Sequence, residues 1–132
     1  MNEERLRRVR KICGAFPEVT ETAAGRHARF DVRGKTFAWF VDDHHGDGRL
    51  ALHCKAQPGV QAVLVARDEQ RFFVPPYLGP RGWIGIYLEQ EPDWEEVAEV
   101  LEESYRMTAP PVLLKLLDTR VGGARPELMR GE

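Results

Sequence analysis

The order of hydrophobic patterns predicts a two-layer α+β domain: a five-stranded antiparallel sheet with helices on one side. Two observations carry it. Stretches with apolar residues at helical spacing flank a middle region of period-two alternation. The resulting order is helix, three strands, helix, two strands, two helices, and sequential strands usually pair with one another.

The first helix is read over residues 2–15. Leu6, Val9, Ile12, Cys13 and Phe16 follow a 3–4 spacing, Asn2 is a cap, and Gly14 and Pro17 end the element. Five of the residues 5–11 are basic, and Arg7, Arg10 and Lys11 lie opposite the apolar stripe. Residues 28–42 read as a hairpin turning at Gly34, with Phe40 as well as Phe37, Trp39 and Val41 apolar in its second strand. Leu50, Leu52 and Cys54 mark a third strand after the loop DDHHGDG at 42–48. A short helix follows over 58–68, with Pro58 in its first turn and Val60, Val63, Leu64 and Arg67 on one face. RFFVP at 71–75 and WIGIYLE at 83–89 are the fourth and fifth strands. Asp93 is the N-cap of the next helix, with Glu96 closing a capping box and Trp94, Val97, Leu101 and Tyr105 facing inward. A last helix runs from about Thr108 to Asp118. Residues 1–119 are thus expected to be one domain and 120–132 a flexible tail.

Composition narrows the class. No apolar run approaches the ~20 residues that span a bilayer, and charges interrupt the N-terminus where a signal peptide needs its apolar core, so a cytoplasmic protein is expected. Cys13 and Cys54 have no metal-ligand spacing and read as buried, reduced thiols. The net charge of −2 conceals an asymmetry: residues 1–88 carry 14 Lys and Arg against 10 Asp and Glu, while residues 89–118 carry 2 against 9. A mildly basic body is masked by one acidic segment.

The stretch VPPYLGPRGWIGIYL at 74–88 sets a single arginine in a stiff frame. Pro75 and Pro76 end the fourth strand, and Gly79, Pro80 and Gly82 turn the chain. Arg81 is held at the entrance of the fifth strand with Tyr77 and Trp83 as flanking aromatics, able to stack and to bind an anion.

FPEVTE at 16–21, RHARFDVRGKTFAWF at 26–40, LHCK at 52–55, FFVPPYLGPRGWIGIYL at 72–88 and WEEVAEVLEESYRMTAPP at 94–111, in this order, resemble the MmcQ/YjbR family from about residue 4 to residue 118. The resemblance implies a CyaY-like, secretion-chaperone-like fold and a double-wing arrangement proposed to bind DNA. It places the family's recurring polar positions on Lys35, Lys55, Tyr77, Arg81, Trp83, Ser104 and Tyr105.

Two binding functions follow. In the first, the tips 33–35 and 42–49 are wings, and Arg29, Arg33, Lys35 and Arg49 touch DNA phosphates with little sequence preference. Asp42, Asp43 and Asp47 weigh against the second wing. In the alternative, Lys35, Lys55 and Arg81 converge beside Tyr77 and Trp83 on an anionic small molecule, or the domain binds a protein partner. No GxSxG, P-loop or GxGxxG motif is present, so a non-catalytic protein with no cofactor is expected. His44, His45, Asp47 and His53 supply ligand atoms with no spacing that fixes a geometry, and no metal is expected.

Overall fold

The computed structural model describes residues 2–43 and 46–124. Helix α1 (Asn2–Gly14) leads into β1 (Val19–Ala24), β2 (His27–Val32), β3 (Lys35–Asp42) and β4 (Leu50–Cys54). Then come α2 (Val60–Arg67), β5 (Phe72–Phe73), a 3-10 turn at Gly79–Arg81, β6 (Ile84–Tyr87), α3 (Trp94–Thr108) and α4 (Pro111–Ala124). The sheet is antiparallel throughout, in the order β1-β2-β3-β4-β6-β5.

The sheet therefore has six strands, not five. The extra one is β1, whose residues VTETAA are exposed apart from half-buried Val19. An edge strand with almost nothing buried carries no period-two signal. The two-residue β5 is shorter than the sequence pattern suggests, because Pro75 and Pro76 follow it closely.

Register separates the two faces. Ala28, Phe40, Leu52, Ile86 and Phe72 form one cross-strand row, all buried in the core. The neighbouring row, Arg29, Trp39, His53, Gly85 and Phe73, points the other way. A bulge explains the apolar run in β3. Phe30 pairs with Ala38 but Asp31 with Thr36, so Phe37 is the extra residue. It joins the core against Phe16 and Tyr105.

The helices close the core with Val9 and Cys13 of α1, Val97, Leu101 and Tyr105 of α3, and Leu113 and Leu117 of α4. The Asp93 carboxylate caps α3 by accepting from the Glu95 and Glu96 N–H groups at 3.1 and 3.3 Å. The Glu96 carboxylate is directed to Arg67 and Arg71 instead of closing a capping box. Helix α2 starts after Pro58, with Gly59 in the left-handed region at its N-cap. Its valines differ from expectation: Val60 and Val63 are exposed, and Leu64 and Val65 meet the core. Helix α4 continues past Asp118 to Ala124, and the tail expected over 120–132 lies, from residue 125 onward, outside the described residues. No helix among the described residues is long and apolar enough to cross a membrane.

Gly85 has a packing role. A Cβ there would come within 2.3 to 2.5 Å of the Phe73 ring, which lies over the strand and stacks on Tyr87 at 4.4 Å. Gly85→Ala is expected to cost about 1–3 kcal/mol by overpacking. Combining it with Phe73→Ala should cost less than the sum of the two single changes in urea unfolding. Strict additivity would show that the ring does not rest on Gly85.

Candidate functional site

The turn between β5 and β6 is built from its own backbone. The Gly79 N–H donates to the Pro75 carbonyl, Arg81 to Leu78, and Gly82 to Gly79, at 2.8 to 3.0 Å. Gly82 takes a φ of 87°, which a side chain would resist. A Cβ on Gly79 would sit 2.4 Å from Val74 Cγ1, so a side chain there would have to displace the exposed Val74 methyl. From α2, Gln61 Nε2 donates to the carbonyls of Gly79 and Trp83 at 2.9 and 2.6 Å, gripping both ends of the turn. This frame sets the position of Arg81.

Lys55 is set from the core side. Its N–H donates to Ser104 Oγ at 2.9 Å, and the Ser104 hydroxyl donates to the Phe37 carbonyl at 2.5 Å. A fully buried serine on α3 thus links the bulge of β3 to the end of β4. Lys35 opens β3, the strand beside β4.

These placements bring Lys35, Lys55 and Arg81 to one cavity of about 410 Å³, with walls from Trp39, Leu78, Trp83 and Thr36. Among the described residues no acid lines it. Among the described residues none of the three cations forms a salt bridge. The Lys55 ammonium is held below its ordinary pKa, first by burial and then by repulsion from Arg81 and Lys35. Two expectations are corrected here. Tyr77 is 75% exposed on a left-handed backbone and does not line the cavity. Arg81 stacks on no aromatic ring among the described residues: the arginines over rings are Arg8, Arg29, Arg49 and Arg71.

Of the residues assigned to DNA contact, Lys35 lies in this cavity, whereas the three arginines do not line it and are otherwise engaged. Arg33 pairs through both donors with Glu18 at 2.6 and 3.1 Å, and Arg49 pairs likewise with Glu89. Arg29 donates to Asp31 at 3.1 Å and lies over Trp39. The tips 33–35 and 42–49 are at opposite ends of β3, whose 8 residues separate them by roughly 25 Å. The basic face of α1 is partly spent as well, since Arg10 pairs with Glu21 and Arg5 with Glu91.

Other candidate chemistry is quiet. Cys13 and Cys54 are buried free thiols; burial pushes Cys54 up to about 12, and burial with the proximity of Cys54 and Glu21 pushes Cys13 well above its usual value. His44 and His45 lie outside the described residues, and His53 is buried on the sheet face beside Phe73. Among the described residues no three His, Cys, Asp or Glu side chains cluster as metal ligands.

An antiparallel α+β domain with one cationic cavity at the strand ends is the class that fold and site define. The YjbR family model matches residues 14–107, and the chain belongs to that family. The crystal structure of Deinococcus radiodurans protein DR2400, with a DUF419 domain, is similar: TM-score 0.65 at 22% identity, over 83% of this chain and 85% of that one. At that identity the likeness shows the fold alone. No curated protein matches the chain.

Proposed function

We propose that this protein is a binding module for a small anionic ligand, held by Lys35, Lys55 and Arg81. One observation carries the reading: three cations line one cavity with no acid among the described residues of its walls. The arginines proposed for DNA contact face acids instead. Uncompensated cations in a partly apolar cavity repel one another, and an anion relieves that cost.

The cavity also makes binding depend on pH. Lys55 has a lowered pKa in the free protein, and a bound anion would raise it. Binding should therefore take up protons, with affinity highest below the lowered pKa and falling as pH rises through it. Sulfate suits the test because its own charge does not change in this range. Calorimetry in buffers of different ionisation enthalpy should report the uptake. Arg81→Ala and Lys55→Ala should each weaken binding by about tenfold or more, as expected for a hydrogen bond to a charged group. Affinity independent of both changes would sink the assignment. Duplex DNA is the control. DNA binding lost on charge reversal of Arg29, Arg33 and Arg49, with Arg81→Ala silent, would favour the double-wing reading instead.

A further inference from the structure

We propose that the ligand of this cavity is a free nucleotide or a close relative: a phosphate monoester on Lys35, Lys55 and Arg81, with a planar heterocycle lying against Trp39. The inference rests on the anion-pocket reading above and goes further by naming the ligand class.

Charge and direction select the phosphate. A single carboxylate would leave two of the three cations uncompensated, whereas a phosphate monoester carries about −1.5 to −2 at neutral pH. The cations come from three places: the first residue of β3, the residue after β4, and the turn before β6. A tetrahedral group with three terminal oxygens offers each an acceptor, and a planar carboxylate has only two oxygens. The guanidinium of Arg81 suits bidentate contact. Thr36 adds no donor, because its hydroxyl already donates to Asp31 Oδ1 at 2.8 Å.

The apolar walls select the rest of the molecule. Inorganic phosphate would use the cations and leave half-buried Trp39 and Leu78 facing water. Trp83 is 5% exposed and has little surface left to offer, so half-buried Trp39, with Arg29 6.0 Å from its ring centroid, is the ring left for stacking. Planar bases stack on such rings without regard to their identity. The volume of about 410 Å³ falls within the range of small-molecule sites. A nucleic-acid chain fits less well. The arginines nearest Lys35 in the chain, Arg29 and Arg33, already face Asp31 and Glu18 and so offer less to further phosphates.

Calorimetry at low salt tests this with inorganic phosphate, ribose 5-phosphate, adenosine, adenosine 5′-monophosphate, and a short single-stranded oligonucleotide with and without a 5′-phosphate. The monophosphate should bind about tenfold or more tighter than ribose 5-phosphate. Adenosine should bind far more weakly than either. In Trp39→Leu, shown to be folded by urea unfolding, the advantage of the base should be erased, so that the monophosphate binds no tighter than ribose 5-phosphate does to the same variant. Equal affinity for ribose 5-phosphate and the monophosphate would overturn the heterocycle while leaving the anion pocket standing. Silence from phosphate and both of its esters would overturn the pocket itself. Much tighter binding of the 5′-phosphorylated oligonucleotide than of the monophosphate would make a strand end the ligand and overturn the assignment to a free nucleotide.

Discussion

Tyr105→Ala is expected to destabilise the protein by about 5 kcal/mol, near the upper end of single substitutions. The side chain is fully buried, with its ring 4.9 Å from that of Phe16 and 5.5 Å from that of Phe37. Its hydroxyl donates to the Pro17 carbonyl at 2.7 Å. One residue of α3 thereby joins the segment after α1 to the bulge of β3. Alanine removes the aromatic volume and leaves a buried carbonyl without its donor, and the two costs add. Tyr105→Phe separates them: it keeps the packing and should cost only about 1–2 kcal/mol. With domain stabilities of about 5–15 kcal/mol, the alanine variant sits at the edge of folding. Urea unfolding of both variants is the measurement. An alanine cost below about 2 kcal/mol would mean that the three elements do not depend on this contact.

The parts legible in the sequence were those whose signal is local. Helix α3 was marked by Asp93 before an apolar stripe, and the cap is made by that carboxylate. The β2–β3 turn was marked by Gly34, which takes a φ of 78°. β1 was missed because an exposed edge strand needs no apolar alternation, only a neighbour to pair with. The bulge at Phe37 was hidden as well, since Phe37, Ala38 and Phe40 read as a two-sided apolar strand until the register with β2 is known. The expectation that Lys35, Lys55 and Arg81 converge has no local pattern behind it: they are far apart in the chain and meet through the sheet order. Whether an arginine is already paired is a long-range fact too: Arg49 meets Glu89 across 40 residues. No composition count distinguishes it from unbridged Arg81.

Trp83→Ala should cost about 3–5 kcal/mol, the usual range for emptying a large aromatic site. Only 5% of its surface is exposed, and it immediately precedes β6. The same ring walls the cationic cavity, so stability and binding are tied together at this residue. Its backbone contacts should survive the change: the N–H donates to Leu78, and the carbonyl accepts from Gln61. The turn should therefore stay attached while its aromatic support is lost. Arg81 would keep its charge but not its fixed position, and a cation that must be ordered on binding contributes less to affinity. Trp83→Phe should recover much of the stability in urea denaturation, and phosphate or sulfate affinity should recover in parallel, because both depend on the same filled volume. A cost under 1 kcal/mol for the alanine change would show that the ring is not packed. Full anion affinity in a folded but destabilised alanine variant would show that Lys35, Lys55 and Arg81 hold their arrangement without it, and would confine Trp83 to the core.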